Sequence, residues 1–64
     1  MNFRRIGTYT GQVEENHIIE DGGPVRDGYR VHIFEDGDYF GTIEHDHSQD
    51  WTQTFDEYVD EITQ

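Results

Sequence analysis

Apolar and polar residues alternate most regularly between Tyr29 and Ile33, in the middle of the chain. A period of two residues is typical of a β-strand with one face buried. A second alternating segment follows after a short polar interruption and runs to His45. Residues 29–45 therefore predict a β-hairpin.

The interruption, Glu35-Asp36-Gly37, predicts a three-residue turn in which Gly37 takes the positive φ that such a loop needs. The resulting register places three pairs on one face of the hairpin: Ile33 with Tyr39, Val31 with Gly41 and Tyr29 with Ile43. A two-residue turn at Asp36-Gly37 instead puts Glu44 opposite Tyr29. The three-residue loop gives the more apolar face, and we expect that register.

A stripe of apolar residues predicts an amphipathic helix over residues 48–64. Its members recur at spacings of 4, 3, 1 and 3 residues: Trp51, Phe55, Tyr58, Val59 and Ile62. Asp50 is the predicted N-cap, with Gln53 as its capping-box partner. We expect the stripe to pack on the apolar face of the hairpin.

The first half of the chain has strand composition with less regular alternation. Residues 3–13 predict a strand with a bend or bulge at Gly7 and Gly11, and residues 16–20 predict a short strand that pairs with it. The segment from Asp21 to Gly28 predicts a loop. The sequence therefore predicts one α+β domain over residues 1–64: a small antiparallel sheet of three or four strands with one C-terminal amphipathic helix packed on one face.

The net charge of the chain is unusual for a small domain. The 64 residues include 15 acids, 4 arginines and no lysine, for a formal charge of -11. Residues 1–13 carry two arginines and no acid, so every acid falls in residues 14–64. Self-repulsion of this kind destabilises a compact state. We therefore expect either a basic partner or a high-salt solvent to offset it.

Composition also sets expectations for compartment and partners. The chain has no cysteine, which rules out disulfides and thiolate metal sites and favours a reducing compartment. No apolar run approaches the roughly 20 residues of a membrane span, and the first 13 residues lack the apolar middle of a signal peptide. An acidic surface is repelled by nucleic acid and by anionic lipid. We expect a cytoplasmic protein that binds neither directly.

The acids of the predicted helix form like-charged pairs four residues apart, Asp56 with Asp60 and Glu57 with Glu61, and such pairs destabilise a helix. Successive rows rise about 6 Å along the helix axis, of the same order as the roughly 3.4 Å between phosphates on one DNA strand. The array therefore predicts a partner-binding surface that replaces phosphates, with an ordinary solvated helix face as the alternative. Six further acids from the hairpin turn and the preceding loop are predicted to join it: Glu35, Asp36, Asp38, Glu20, Asp21 and Asp27.

Two aromatic residues, Phe34 and Phe40, leave the helix-facing side of the hairpin in the predicted register. The N-terminal strands cover them, or they are exposed anchors within an acidic surface, the kind of residue that dominates interface energetics.

Metal binding and catalysis have weak support. His45-x-His47 on an extended segment points two imidazoles to one side, but structural zinc needs four converging ligands, and His17 and His32 lie elsewhere. Pairs of carboxylates are too common here to identify a glycosidase dyad, and no phosphate-binding glycine motif is present. We expect a protein that is not an enzyme, with no catalytic, cofactor-binding or metal-binding residue.

A small, acidic, cysteine-free chain with strands followed by a helix resembles the phage-encoded inhibitors of bacterial defence systems, among them anti-CRISPR proteins that act as DNA mimics. The resemblance covers size, charge and element order and includes no sequence motif. It implies a stoichiometric inhibitor in the host cytoplasm. Such an inhibitor occupies the basic channel of a nucleic-acid-binding complex, for example a type I CRISPR–Cas surveillance complex, and excludes DNA.

Two alternatives remain open. Residues 29–62 are similar to HicB-like antitoxin domains, although the glycine- and proline-marked segment between second strand and helix is missing. Acidic, lysine-poor chains are also found in salt-accumulating organisms, where the charge keeps a protein hydrated and needs no partner.

Overall fold

A computed structural model describes residues 2–64, which fold into four antiparallel strands and one C-terminal helix. The elements are β1 (Phe3–Ile6), β2 (Tyr9–Ile19), β3 (Arg26–Glu35), β4 (Asp38–Asp46) and α1 (Trp51–Ile62). The strands lie in the sheet in chain order, so each pairs with its sequence neighbour. This confirms the predicted α+β class.

The helix packs on one face of the sheet, which we call the inner face. Phe55 and Val59 of α1 are buried there against four strand residues, Val13, Tyr29, Val31 and Ile33. Trp51 and Tyr58 are partly buried at the margin of this cluster. The alternation in β3 and the stripe on α1 therefore bury the two faces that the sequence predicts.

The β3–β4 hairpin turns through two residues, so the predicted three-residue loop is wrong. Asp36 and Gly37 have φ of 50° and 86°, the two positive values that a type I′ turn requires. A bulge between the pairs formed by Ile33 and Phe34 then shifts the register, and Val31 lies opposite Ile43 instead of Gly41. The shift from the predicted register is two residues, an even number. The β4 side chains after the bulge therefore keep their predicted face.

The N-terminal strands also differ from the prediction. Gly7, with φ of 60°, lies in the turn between β1 and β2, whereas Gly11 lies inside β2 without a bulge. Residues 16–20 do not form a separate strand, because β2 continues to Ile19 past a bulge between Glu14 and His17. The following loop is shorter than predicted, and residues 26–28 belong to β3.

Asp50 caps the helix as predicted. One of its carboxylate oxygens accepts a hydrogen bond from the Thr52 backbone N–H at 3.2 Å. The predicted capping-box partner Gln53 instead donates its side-chain amide to Glu57 at 3.1 Å. The capping-box prediction is therefore wrong, and the cap is supplied by the aspartate.

The second sheet face, which we call the outer face, has no covering element within residues 2–64, because β1 and β2 extend the sheet sideways. Phe34 lies half-buried on this face, with its ring 5.7 Å from that of Tyr39. Phe40 does not follow the prediction: it occupies the β4 bulge, 43% exposed, with its ring 5.6 Å from that of Tyr9. The N-terminal strands therefore leave Phe34 uncovered, whereas Phe40 contacts them through Tyr9 of β2.

Candidate acidic interface

The direction of the helix decides which acids lie together. At its start, the Tyr29 hydroxyl donates to the Gln49 carbonyl at 2.8 Å, which places the N-terminus of α1 over the end of the sheet nearer the β2–β3 loop. Further along, Tyr58 packs at the core margin beside Tyr9, which pairs with Glu35 across the sheet. The C-terminal half of α1 therefore lies at the end of the sheet that carries the β3–β4 turn.

Three groups of predicted residues can now be placed. The helix acids are Asp56, Glu57, Asp60 and Glu61; the turn acids are Glu35, Asp36 and Asp38; the loop acids are Glu20, Asp21 and Asp27. The structure brings the turn acids to the same end as the last turns of the helix. The loop acids lie at the opposite end of a domain whose longest dimension is 35 Å, apart from the other two groups.

Asp56 differs from the other helix acids because it is paired with an arginine from the far end of the chain. Arg4 on β1 donates its Nε to Asp56 Oδ1 at 2.6 Å and its Nη2 to Oδ2 at 3.0 Å. This fork-shaped contact is the strong geometry for arginine and a carboxylate, and the hydrogen bond raises the pKa of Arg4. The charge of Asp56 is thus largely compensated within the fold.

The other three helix acids have different surroundings from Asp56. Glu57 accepts hydrogen bonds from the side-chain amides of Gln49 at 3.3 Å and Gln53 at 3.1 Å, which are neutral donors. Asp60 and Glu61 are exposed. Within residues 2–64 none of these three carboxylates takes part in an ion pair. They also lie toward the C-terminus of α1, where the helix dipole disfavours negative charge.

The turn acids likewise lack ion pairs within the described part of the chain. The two backbone turns at this end are tied together, because the Asp36 N–H donates to the Thr8 carbonyl at 2.9 Å. The Glu35 carboxylate beside the Tyr9 hydroxyl raises the pKa of that tyrosine. Tyr39 and Phe40 on the same hairpin are 64% and 43% exposed, so aromatic rings stand next to the carboxylates.

At the opposite end, the loop acids are partly neutralised. Arg26 donates to Asp21 at 2.6 Å and to Asp46 at 2.9 Å, while Glu20 and Asp27 are exposed. An open cavity of about 320 Å³ lies here, lined by Ile19, Asp21, Arg26, Glu44, His45 and Asp46. Two of its three carboxylates are held by the arginine, and the third, that of Glu44, contacts His17.

The outer face carries a polar network that the sequence analysis missed. His32 and Glu14 are joined by a hydrogen bond of 2.8 Å, and His17 contacts both Glu44 and Arg30. The signal available in the sequence was the alternation of charged residues with the apolar residues of β3. The bulge that brings His17 into the network has no such signal.

The two histidines considered for metal binding lie against an aromatic ring. His45 and His47 have ring centroids 6.2 Å and 5.9 Å from that of Tyr29. Within residues 2–64 no group of three or more histidine, aspartate and glutamate side chains has the arrangement of a metal site. Both rings contact the Tyr29 ring.

No family model, curated protein or solved structure matches the chain. In the described part of the chain no helix has the length and hydropathy to span a membrane. What the protein binds is therefore inferred from its surface chemistry.

Proposed function

We propose that this chain is a stoichiometric inhibitor whose carboxylates replace the phosphates of DNA in the basic channel of a nucleic-acid-binding complex. A bacterial defence complex, with type I CRISPR–Cas surveillance as the first example, is the target class. The observation that carries the proposal is a set of five carboxylates toward one end of the fold without an ion pair in residues 2–64: Asp60, Glu61, Glu35, Asp36 and Asp38. Glu57, which also lacks an ion pair there, lies midway along α1, and its carboxylate accepts from Gln49 and Gln53 near the helix start.

This arrangement has an unfavourable intramolecular energy. Glu57 and Glu61 are like charges four residues apart, which costs a few tenths of a kcal/mol, and the helix dipole adds to the repulsion. The four arginines of the chain offer little relief. Arg4 and Arg26 form ion pairs with other acids. Arg30 lies against His17 on the outer face, and Arg5 donates to the Gly7 carbonyl. A basic partner would relieve the repulsion and would be steered to this surface over long range.

The exposed aromatic rings support a specific protein contact over simple counterion binding. Tyr39 and Phe40 stand on the hairpin that carries the turn acids. Tyrosine and phenylalanine contribute large apolar areas at the centres of interfaces. A partner that meets this end therefore finds carboxylates and an apolar anchor together.

The test is competition between the protein and DNA for a purified type I surveillance complex. The key variant removes the three unpaired helix charges, Glu57→Gln, Asp60→Asn and Glu61→Gln, and keeps Asp56 because it holds Arg4. A charge-matched control removes three exposed acids that lie away from the helix C-terminus and the β3–β4 turn: Glu15→Gln, Glu20→Gln and Asp27→Asn. We expect the parent and the control to displace labelled target DNA equally. The helix variant should be weaker by about tenfold or more, a loss of at least 1.4 kcal/mol.

Two results would overturn this function. Equal weakening by both triple variants would mean that net charge, and not this surface, drives the competition. A parent that leaves the DNA bound at low salt would exclude this target. Capture from a bacterial lysate, with elution by a salt gradient, would then identify any other DNA-binding complex that the helix variant fails to retain.

A separate measurement distinguishes a partner from a salt-rich solvent as the reason for the charge. Circular dichroism of the parent is followed from low salt to molar KCl. A chain that is folded at low salt supports a partner-directed role. A chain that folds only in molar salt would indicate that its acids serve hydration.

A further inference from the structure

His17 lies on the outer face directly after the β2 bulge and is surrounded by charged side chains from three strands. Its Nε2 is 3.2 Å from Nη2 of Arg30 on β3 and within hydrogen-bonding distance of Glu44 Oε2 on β4. Its Nδ1 is 4.0 Å from Glu14 Oε2 on β2 itself. With a side chain only 15% exposed, the imidazole has limited access to water as an alternative partner.

The two contacts of Nε2 require opposite protonation states. An arginine N–H always donates, and an ionised carboxylate always accepts. Nε2 can accept from Arg30 only when it carries no proton, and it can donate to Glu44 only when it carries one. In the neutral ring that accepts from Arg30, the proton sits on Nδ1, the nitrogen that faces Glu14.

We propose that His17 is a proton-controlled switch on the outer face: the neutral imidazole accepts from Arg30, and the imidazolium donates to Glu44. Histidine is the side chain that ordinarily changes charge between pH 5 and 8. Protonation places two positive charges side by side, so the guanidinium of Arg30 moves away as Glu44 takes the imidazolium. The ring then bridges β2 to β4 in place of β2 to β3.

The β2 bulge is what makes the switch possible. Glu14 pairs with Arg30, but two residues of β2 have no partner before His17 pairs with Gly28. Asn16 within this irregularity has φ of 61°, and bulges re-aim the side chains that follow them.

His32 is an internal reference on the same face. Its Nε2 lies 2.8 Å from Glu14 Oε1, and the residue opposite it on β4 is the uncharged Thr42. The only charged group in hydrogen-bonding contact with His32 within residues 2–64 is therefore a carboxylate. His32 should carry its proton on Nε2 when neutral and should keep the same partner when charged.

Long-range ¹H–¹⁵N correlation spectra of the imidazoles test the proposal. At pH 8 we expect His17 to be mainly the Nδ1–H tautomer and His32 the Nε2–H tautomer. In the imidazolium form that a pH titration toward acid produces, both nitrogens of His17 should be protonated, and the side-chain resonances of Arg30 should move with the same midpoint. A His17 that is Nε2–H at pH 8, as His32 is, would overturn the switch, because Glu44 would then hold it at every pH.

Arginine variants give the matched control. Arg30→Met should convert His17 to the Nε2–H tautomer at pH 8, because methionine has no N–H to donate, whereas Arg5→Met should leave it unchanged because Arg5 donates to the Gly7 carbonyl. An unchanged tautomer in a folded Arg30→Met protein would refute the proposal. The parent spectrum decides the tautomer without any variant, so the test does not depend on whether this substitution folds.

Discussion

Gly11 and Phe55 approach so closely that a Cβ atom on Gly11 would lie 2.7 Å from Cδ1 of the Phe55 ring. Phe55 is fully buried at the centre of the core, and its ring rests on the bare backbone of β2. The helix can therefore lie close to the sheet at this point. The sequence pattern predicted a bend or bulge at Gly11, but the glycine instead lets the Phe55 ring pack directly against the strand backbone.

Gly11→Ala should destabilise the protein. The added methyl group must displace the Phe55 ring or the helix, and overpacking of this kind costs about 1–3 kcal/mol. Urea denaturation measures the change. The matched control is Gly41→Ala, also within a strand, where an added Cβ meets nothing within 4 Å; it should leave the free energy of unfolding unchanged or raise it slightly. Equal losses for both variants would contradict the close approach.

Tyr29→Phe should weaken the connection between sheet and helix. The hydroxyl of Tyr29 donates to the Gln49 carbonyl and lies 2.5 Å from Thr54 Oγ1, and burial raises its pKa. Its removal takes the donor from the Gln49 carbonyl, at a cost of about 1–3 kcal/mol, whereas Thr54 Oγ1 keeps its contact with the Gln49 side chain. Tyr39→Phe, at an exposed ring, should change thermal stability by little. If Tyr29→Phe is as thermally stable as the parent, water replaces the lost contacts.

Asp50→Ala should destabilise the helix start by about 0.5–2 kcal/mol, because the Thr52 N–H loses its acceptor. Asp50→Asn removes the same charge but keeps a side-chain oxygen, and asparagine is as good an N-cap as aspartate. Thermal unfolding of the two variants therefore separates capping from relief of charge repulsion. If asparagine is as damaging as alanine, the carboxylate acts through its charge.

Glu14 should stabilise the fold at neutral pH and lose that effect in acid. The hydrogen bond with His32 lowers the pKa of Glu14 below its ordinary value of 4.5, so the folded state favours the ionised form. The contribution is complete above pH 4.5 and disappears as the pH falls through the lower folded value. The melting temperatures of parent and Glu14→Gln should differ at pH 7 and converge as the pH falls through the lowered folded pKa of Glu14. The variant is needed because protonation of other acids also changes the self-repulsion.

The variant with three substitutions in α1, Glu57→Gln, Asp60→Asn and Glu61→Gln, should be as stable as the parent or more stable at low salt. It removes the repulsion within α1 and leaves the contact of Asp56 with Arg4 intact. The gain should shrink as salt screens the charges. Melting temperatures across a salt series provide the measurement, and a loss of stability at low salt would mean that these acids have stabilising partners.

Features set by interactions between residues close in the sequence were predicted correctly, and features set by distant residues were not. The strand around Val31 and the helix stripe around Phe55 were predicted correctly because burial of one face imposes a local period. The hairpin register was wrong because Asp36-Gly37 suits both turn lengths and the β4 bulge leaves no local pattern. For the candidate site, the residues were identified from charge, but their grouping was not.

Local pattern was thus sufficient to predict the fold class, the order of the elements and the helix N-cap at Asp50. Composition alone showed the excess of acids. The pairing of Arg4 with Asp56, separated by 52 residues, and the meeting of His17 with Arg30 and Glu44 required the assembled sheet. The physical reason is that period and propensity act within a few residues. Which charges meet instead depends on strand register, and one extra residue in a bulge changes that register for all the pairs beyond it.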